Sequence, residues 1–176
     1  MIETEWFWLK KDPAAPLVET TGFDKNKFPY FTDAESFASV DDSVIYYEKK
    51  KFSPCDILFE PTFLIRDRLQ PLFELLEPAI EYKGVQLYRK FKPEDAPRPI
   101  YWLPYLPCVD AISESSKIVQ GKAAKLIVKL SELRGRRVAH CKLPAEDIWL
   151  LSLEAAECLL RRQPVGILLE KVPSQP

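Results

Sequence analysis

One histidine, one methionine and five glycines are all that this chain of 176 residues holds of those types, and each shortage closes off a chemistry. Structural zinc sites draw on closely spaced Cys and His ligands. A lone His140 and four scattered cysteines, Cys55, Cys108, Cys141 and Cys158, therefore predict no metal. The glycines never fall into G-x-G-x-x-G or G-x-x-x-x-G-K, so the common phosphate cradles are missing and no cofactor is expected. No stretch approaches the roughly 18 consecutive apolar residues of a membrane span. The opening Met1 to Glu5 is acidic where a secretory leader is basic, and Trp6 to Leu9 is too short for a leader's apolar segment. Reduced thiols and a cytoplasmic location are the expectation. Neither sign of charge dominates, with 25 basic and 26 acidic residues, so no global field recruits nucleic acid or a membrane surface.

What the chain does have is core. Hydrophobic residues make up 47% of it, enough for one domain with an N-terminal arm. The expected organisation is a strand and irregular arm over 1–55, packed on a body over 56–176 as one compact unit. The arm end is acidic: residues 1–60 carry seven basic and twelve acidic side chains, whereas 121–176 carry ten and six. Opposite charges lower the energy of a compact chain when folding brings them together, which is the expectation here.

The most ordered pattern runs from Ile148 to Lys171. Ile148 to Leu151 is an apolar run too short for a helix, and Ser152 offers a hydroxyl to the N–H groups that open one. Glu154 near the start and Arg161 and Arg162 near the end suit the helix dipole, and Pro164 forbids continuation. After Gly166 the apolar Ile167 to Leu169 reads as a strand. Phe63 to Ile65, a helix over Arg66 to Glu77, then Gly84 and Val85 to Tyr88 repeat this plan, with four extra residues before the glycine. Leu69, Leu72, Phe73 and Leu76 fall on one helical face. The two stretches predict an α+β fold with mixed or antiparallel sheets and two strand-helix-strand repeat-like units, although chance similarity of such short units is a rival reading.

The rest is less regular. Trp6 to Leu9 reads as an edge or opening strand, and Pro13 to Asp42 as a long connection with a helical turn near Ala34 to Phe37. Phe23, Phe28, Tyr30 and Phe31 suggest that this connection packs on the body. Val44 to Tyr47 reads as a strand closed by the solvated run Glu48 to Lys51. Five prolines, Pro93, Pro97, Pro99, Pro104 and Pro107, place Ile100 to Leu103 at a sheet edge, since each removes a backbone donor. Val109 to Ser113 continues extended and the chain turns at Ser115 to Gln120. Leu126 to Leu130 reads as a strand, joined through the turn Arg134 to Arg137 to a hairpin partner at Val138 to Cys141. Residues 122–142 hold seven basic side chains against Glu132 alone. They form either a solvated hairpin tip or a surface for an acidic partner.

Catalysis finds little purchase in this pattern. His140 is the only base of its kind, and its neighbour Cys141 points to the opposite face of any strand that holds both. Cys55, Cys108 or Cys158 could approach His140 in space, yet nothing in the sequence draws them there. The adjacent acids Asp41 and Asp42, Glu94 and Asp95, and Glu146 and Asp147 read as turn or helix-entry residues rather than a facing pair across a cleft.

From about Asp56 to Val172 the order of these pieces resembles a family of bacterial proteins of unknown function grouped with the immunity proteins of polymorphic toxin systems. The likeness lies in the helix-bearing unit at Phe63 to Glu77, in the aromatic piece Tyr101-Trp102-Leu103 running to Cys108-Val109-Asp110-Ala111-Ile112, and in the strand-helix-glycine-strand from Ile148 to Leu169. The N-terminal third, the proline-dense segment and the basic 122–142 stretch lie outside that pattern. The resemblance implies no enzyme, but an intracellular protein that binds and neutralises a cognate toxin through a complementary surface with aromatic anchors and a charged rim. The candidate partner surface combines Tyr101, Trp102 and Tyr105 with Arg134, Arg136 and Arg137; the rival reading makes the aromatics core and the arginines solvated. A small enzyme with a site built from loops around His140 or an acidic cluster is the alternative, and a module that adds a strand at an exposed edge is a third. The sequence leaves the toxin and the oligomeric state open.

Overall fold

The computed structural model describes residues 5–15, 20–21, 31, 33–41, 43–48, 55–60, 62–88 and 99–176. Its first elements are β1 (Trp6–Lys11), β2 (Thr20–Thr21), α1 (Ala34–Ala38), β3 (Ser43–Glu48), β4 (Ile57–Leu58), β5 (Leu64–Arg66), α2 (Gln70–Leu76) and β6 (Glu81–Tyr88). Then come β7 (Ile100–Tyr105), β8 (Lys117–Val119), β9 (Lys122–Lys125), β10 (Val128–Lys129) and α3 (Leu130–Leu133). The chain closes with β11 (Val138–Leu143), β12 (Glu146–Ser152), α4 (Leu153–Leu160), β13 (Ile167–Val172) and β14 (Ser174–Gln175). The class is α+β. Among the described residues no helix is long and apolar enough to cross a membrane.

Two sheets carry the architecture. One has the order β11-β12-β1-β13 and is antiparallel throughout; the other has the order β2-β3-β6-β7-β5-β4 and is antiparallel except for the parallel pair β3 and β6. In the first, β12 and β13 both run antiparallel to β1, which lies between them. In the second, β5 and β6 both run antiparallel to β7, again between them. A helix, α4 or α2, joins each such parallel couple across its middle strand. Leu69, Leu72, Phe73 and Leu76 meet Ala155, Ala156 and Leu159 in one core with Leu9, Ile65, Trp149 and Leu151, so the helices and facing sides of both sheets share a single apolar layer. Alternation along each strand supplies the opposite faces: Trp6, Trp8, Ile148 and Leu150 build a second core, and Phe37, Leu64, Val85, Tyr101 and Leu103 a third.

Local chemistry explains most boundaries. Ser152 caps α4 by accepting from the Ala155 N–H, and Asp33 caps α1 in a reciprocal box with Ser36. The first helix of the paired units is shorter than Arg66 to Glu77, because Arg66 is taken into β5 opposite Tyr101 and residues 67–69 form a turn closed by Leu69 N–H donating to Arg66 O. Pro71 then sits in the first helical turn, where its missing donor costs nothing.

Several expectations are corrected. Trp6 to Leu9 opens the chain but lies inside its sheet, paired on both sides. Ile100 to Tyr105 is likewise interior, between β6 and β5. Its Pro104 is tolerated because β5 pairs only with Tyr101 and Trp102, so β7 has a partner on one side alone at that point. Leu126 to Leu130 is broken into β10 and the start of α3, since Val128 and Lys129 pair in parallel with β14. The hairpin partner of β11 is β12, so the turn at Arg134 to Arg137 joins α3 to β11 instead of closing a hairpin. Gly84 lies within β6 opposite Trp102, whereas Gly166 has φ +91° and a Cβ there would fall 2.8 Å from Cys55 Sγ; the two glycines do different work. Pro93, Pro97, Phe23, Phe28, Tyr30, Asp42, Glu94, Asp95 and Lys49 to Lys51 lie outside the described residues. Phe31 does pack on the body, edge-on to Phe37 and Tyr105.

The two ends of the chain meet where β1 joins β13, through one ion pair of the expected sense, Glu5 with Lys171, and one of the opposite sense, Lys10 with Glu170. A stronger tie is buried. Asp56, 1% exposed, receives Arg68 on both carboxylate oxygens at 2.6 and 2.5 Å and the Val165 N–H at 2.7 Å. Arg68 also donates to the carbonyls of Arg162 and Gln163, so one fork fastens the approach to β5 to the loop after α4. Removing it strands a buried carboxylate, and Arg68→Ala is expected to lower unfolding free energy by on the order of 3 kcal/mol in urea titrations.

Candidate functional site

The hairpin of β11 and β12 turns at Pro144 and Ala145, with Leu143 opposite Glu146 and Lys142 opposite Asp147. Because side chains alternate, Val138, His140 and Lys142 share one face with Asp147, Trp149 and Leu151. Cys141 is on the reverse face, fully buried, where desolvation pushes its thiol up to about 11. His140 pairs with Trp149 and stacks on it at 4.7 Å, while Phe63 from the other sheet's approach stacks on the same indole at 4.5 Å. Asp147 is the diagonal neighbour of His140, and its Oδ1 lies 3.0 Å from Nε2.

The outer edge of β11 is lined by the segment that follows β7. A parallel bridge sets Cys108 beside His140, and Val109 N–H donates to His140 O at 2.9 Å. That pairing brings Leu106 O to 3.1 Å and Cys108 Sγ to 3.5 Å from His140 Nδ1. The partners determine the protons. Asp147 accepts from Nε2, and a carbonyl can only accept, so the bond to Leu106 needs a proton on Nδ1 as well. Burial opposes the charge on the imidazole, but Asp147, Cys108 and the Leu106 carbonyl outweigh it and raise His140 to about 9. Asp147 is held below the usual carboxylate range: burial works against this, and the bond to His140 and its charge, with Lys142, prevail.

Above this cluster lies a cavity of about 50 Å³, walled by Phe63, Leu103, Pro104, Tyr105 and Trp149 and reaching Cys108, His140 and Asp147. Thr62, Phe63, Lys142, Asp147 and Trp149 also line a larger open cleft of about 640 Å³, bordered by β1, the Phe59 to Phe63 segment and the β11 to β12 turn. Its rim carries Lys10, Lys11, Lys122 and Lys142 with Glu60, Glu146 and Asp147. Lys10 and Lys11 are engaged by Glu170 and Glu60, whereas Lys122 and Lys142 make no ion pair among the described residues. Among those residues no three of His, Cys, Asp and Glu form a group suited to a metal ion.

The residues expected to meet a partner are placed differently. Tyr101 is buried and its hydroxyl donates to Cys55 O at 2.8 Å. Tyr105, 8% exposed, stacks on Phe37. Trp102 is half-buried, edge-on to Tyr82. Arg134 and Arg137 are exposed and Arg136 half-buried, on the far side of the α3 to β11 turn, where Arg137 pairs with Glu154. The aromatics belong to the six-stranded sheet and the arginines to the connection into the four-stranded one. The sequence reading named Cys108 only as one of three thiols that could approach His140, and Asp147 only as a turn acid. A signal for Asp147 existed: a two-residue turn at Pro144 and Ala145 puts residues 140 and 147 on one face. No local signal marks Cys108, which arrives by tertiary pairing.

No family model and no curated protein matches the chain.

His140 is the sole histidine, so its ring resonances titrate without overlap, and their midpoint is expected near 9 rather than 6.5. A folded-state value raised above the unfolded one stabilises the fold fully below the unfolded value and ceases to do so as pH rises through the folded one. Asp147, shifted downward, contributes above its unfolded value and stops contributing as pH falls through the acid range. The stability lost in His140→Gln should therefore be largest between about pH 4 and 6.5, on the order of 3 kcal/mol, and should shrink steadily toward pH 9 in urea titrations. A pH-independent difference would contradict the assignment.

Proposed function

We propose that the protein acts by binding, as a cytoplasmic immunity-like protein that neutralises a cognate toxin through a protein surface. The observation that carries this reading is the open cleft between the hairpin and β1. Its dimensions suit a protruding loop, its walls offer Phe59 and Phe63 for apolar contact, and its rim presents Lys122 and Lys142, which make no ion pair among the described residues. Aromatic walls with a charged rim are the usual anatomy of a recognition surface, and unpaired lysines favour an acidic segment on the toxin. The resemblance of 56–172 to immunity proteins supports the same role. The equal topology of β5-α2-β6 and β12-α4-β13 supports reading them as copies of one unit.

A second reading, a small enzyme, is favoured by one observation, the contact of Cys108, His140 and Asp147 beside the small cavity of about 50 Å³.

The first reading is tested by expressing the toxins encoded beside this gene with and without the chain. Restored growth and a stoichiometric complex with one of them are expected. The change Lys122→Glu should leave the thermal unfolding midpoint nearly unchanged, since that side chain is exposed, and weaken the complex by about tenfold or more. Absence of protection and of binding for every neighbouring toxin would refute it.

A further inference from the structure

Cys108 is the exposed cysteine of the four, and it sits where a nucleophile can be served by its surroundings. Its sulfur faces the Nδ1–H of a histidine that also stacks on Trp149 and is bound to Asp147 on its other nitrogen. The proton on Nδ1 lies between Leu106 O at 3.1 Å and Cys108 Sγ at 3.5 Å, so the sulfur is within reach of the imidazole as a hydrogen-bond acceptor. Charged or ionisable groups from every neighbouring element bear on it: His140 and Cys141 from β11, Asp147 from β12, Tyr105 from β7, with Lys142 beyond Asp147. Beside the sulfur the cavity of about 50 Å³ has mostly apolar walls and room for a molecule of only a few heavy atoms.

We propose that Cys108, His140 and Asp147 form a reactive-thiol site, in which Cys108 is the nucleophile toward small electrophiles of the peroxide class, His140 the proton donor, and Asp147 the positioning residue. In the reaction the Cys108 thiolate attacks one oxygen of hydrogen peroxide. An S–O bond forms and the O–O bond breaks; sulfur is oxidised by two electrons and the peroxide reduced. The departing hydroxide takes the Nδ1 proton and leaves as water, so that the products are Cys108 sulfenic acid, water and neutral His140. This site goes beyond toxin binding and requires no toxin.

Two probes test it on the whole chain at pH 7. Iodoacetamide is expected to alkylate Cys108 about tenfold or more faster than the half-buried Cys158, and hydrogen peroxide with a cyclic 1,3-dione to place the sulfenic-acid adduct on Cys108. His140→Gln should remove that margin. Cys55 and Cys141, 3% and 0% exposed, report on folding in the same digest, because they stay unlabelled while the chain is folded. Should His140→Gln expose them, Asp147→Asn serves instead: the His140 ring titration should move toward 6.5 and the Cys108 rate should fall with it. A Cys108 that reacts no faster than Cys158 overturns the proposal. So does a rate unchanged by either substitution with Cys55 and Cys141 still protected.

Discussion

One apolar layer holds both sheets of this molecule. A sheet with two greasy faces must cover each of them, and here the inner faces of both sheets are covered by the same pair of short helices. α2 brings Leu69, Leu72, Phe73 and Leu76, and α4 brings the small Ala155 and Ala156 with Leu159. Alanines on one helix opposite leucines on the other let the two approach closely, and neither is long enough to be stable without that contact. The tie from Arg68 to Asp56 and the carbonyls after α4 sits at the same junction, so the charged clamp and the apolar layer stabilise one and the same seam.

That seam decides where an open cleft can exist. β11 is the edge strand of its sheet, and beyond the cover of α4 the hairpin of β11 and β12 extends past the shared layer, carrying its inner face out toward solvent. Val138, Leu151 and Trp149 are in the core, His140 is at its border, and Lys142 and Asp147 are at the rim. A single strand thus passes from apolar to ionic in steps of two residues. His140 falls at the step where burial is deep enough to penalise a charge and a carboxylate is near enough to overcome the penalty.

The sequence shows the periodic parts of this arrangement well. Ser152, Glu154 and Pro164 mark α4 nearly to the residue, and the unbroken apolar run Ile148 to Leu151 marks β12 as a strand buried on both faces. Short helices with weak caps are less visible: Arg66 was absorbed by strand pairing, and α3 is a single turn that interrupts an otherwise β-rich run. Pairing partners were hidden where they depend on tertiary register. Pro104 argues for an edge by local rules, yet the shortness of β5 makes an interior place possible. Of the candidate site, His140 was visible as the lone base and its opposition to Cys141 followed from strand geometry. Cys108 could not be told from Cys55 and Cys158 as its neighbour, since 32 residues and a bridge outside any named strand separate it from His140.

The small cavity and the large cleft share a wall built from Thr62, Phe63, Lys142, Asp147 and Trp149. Any macromolecule seated in the cleft lies against Asp147 and Lys142, the carboxylate that orients His140 and the cation that helps keep that carboxylate charged. Covering them removes water from the His140 and Asp147 pair, which strengthens their attraction while raising the cost of each charge.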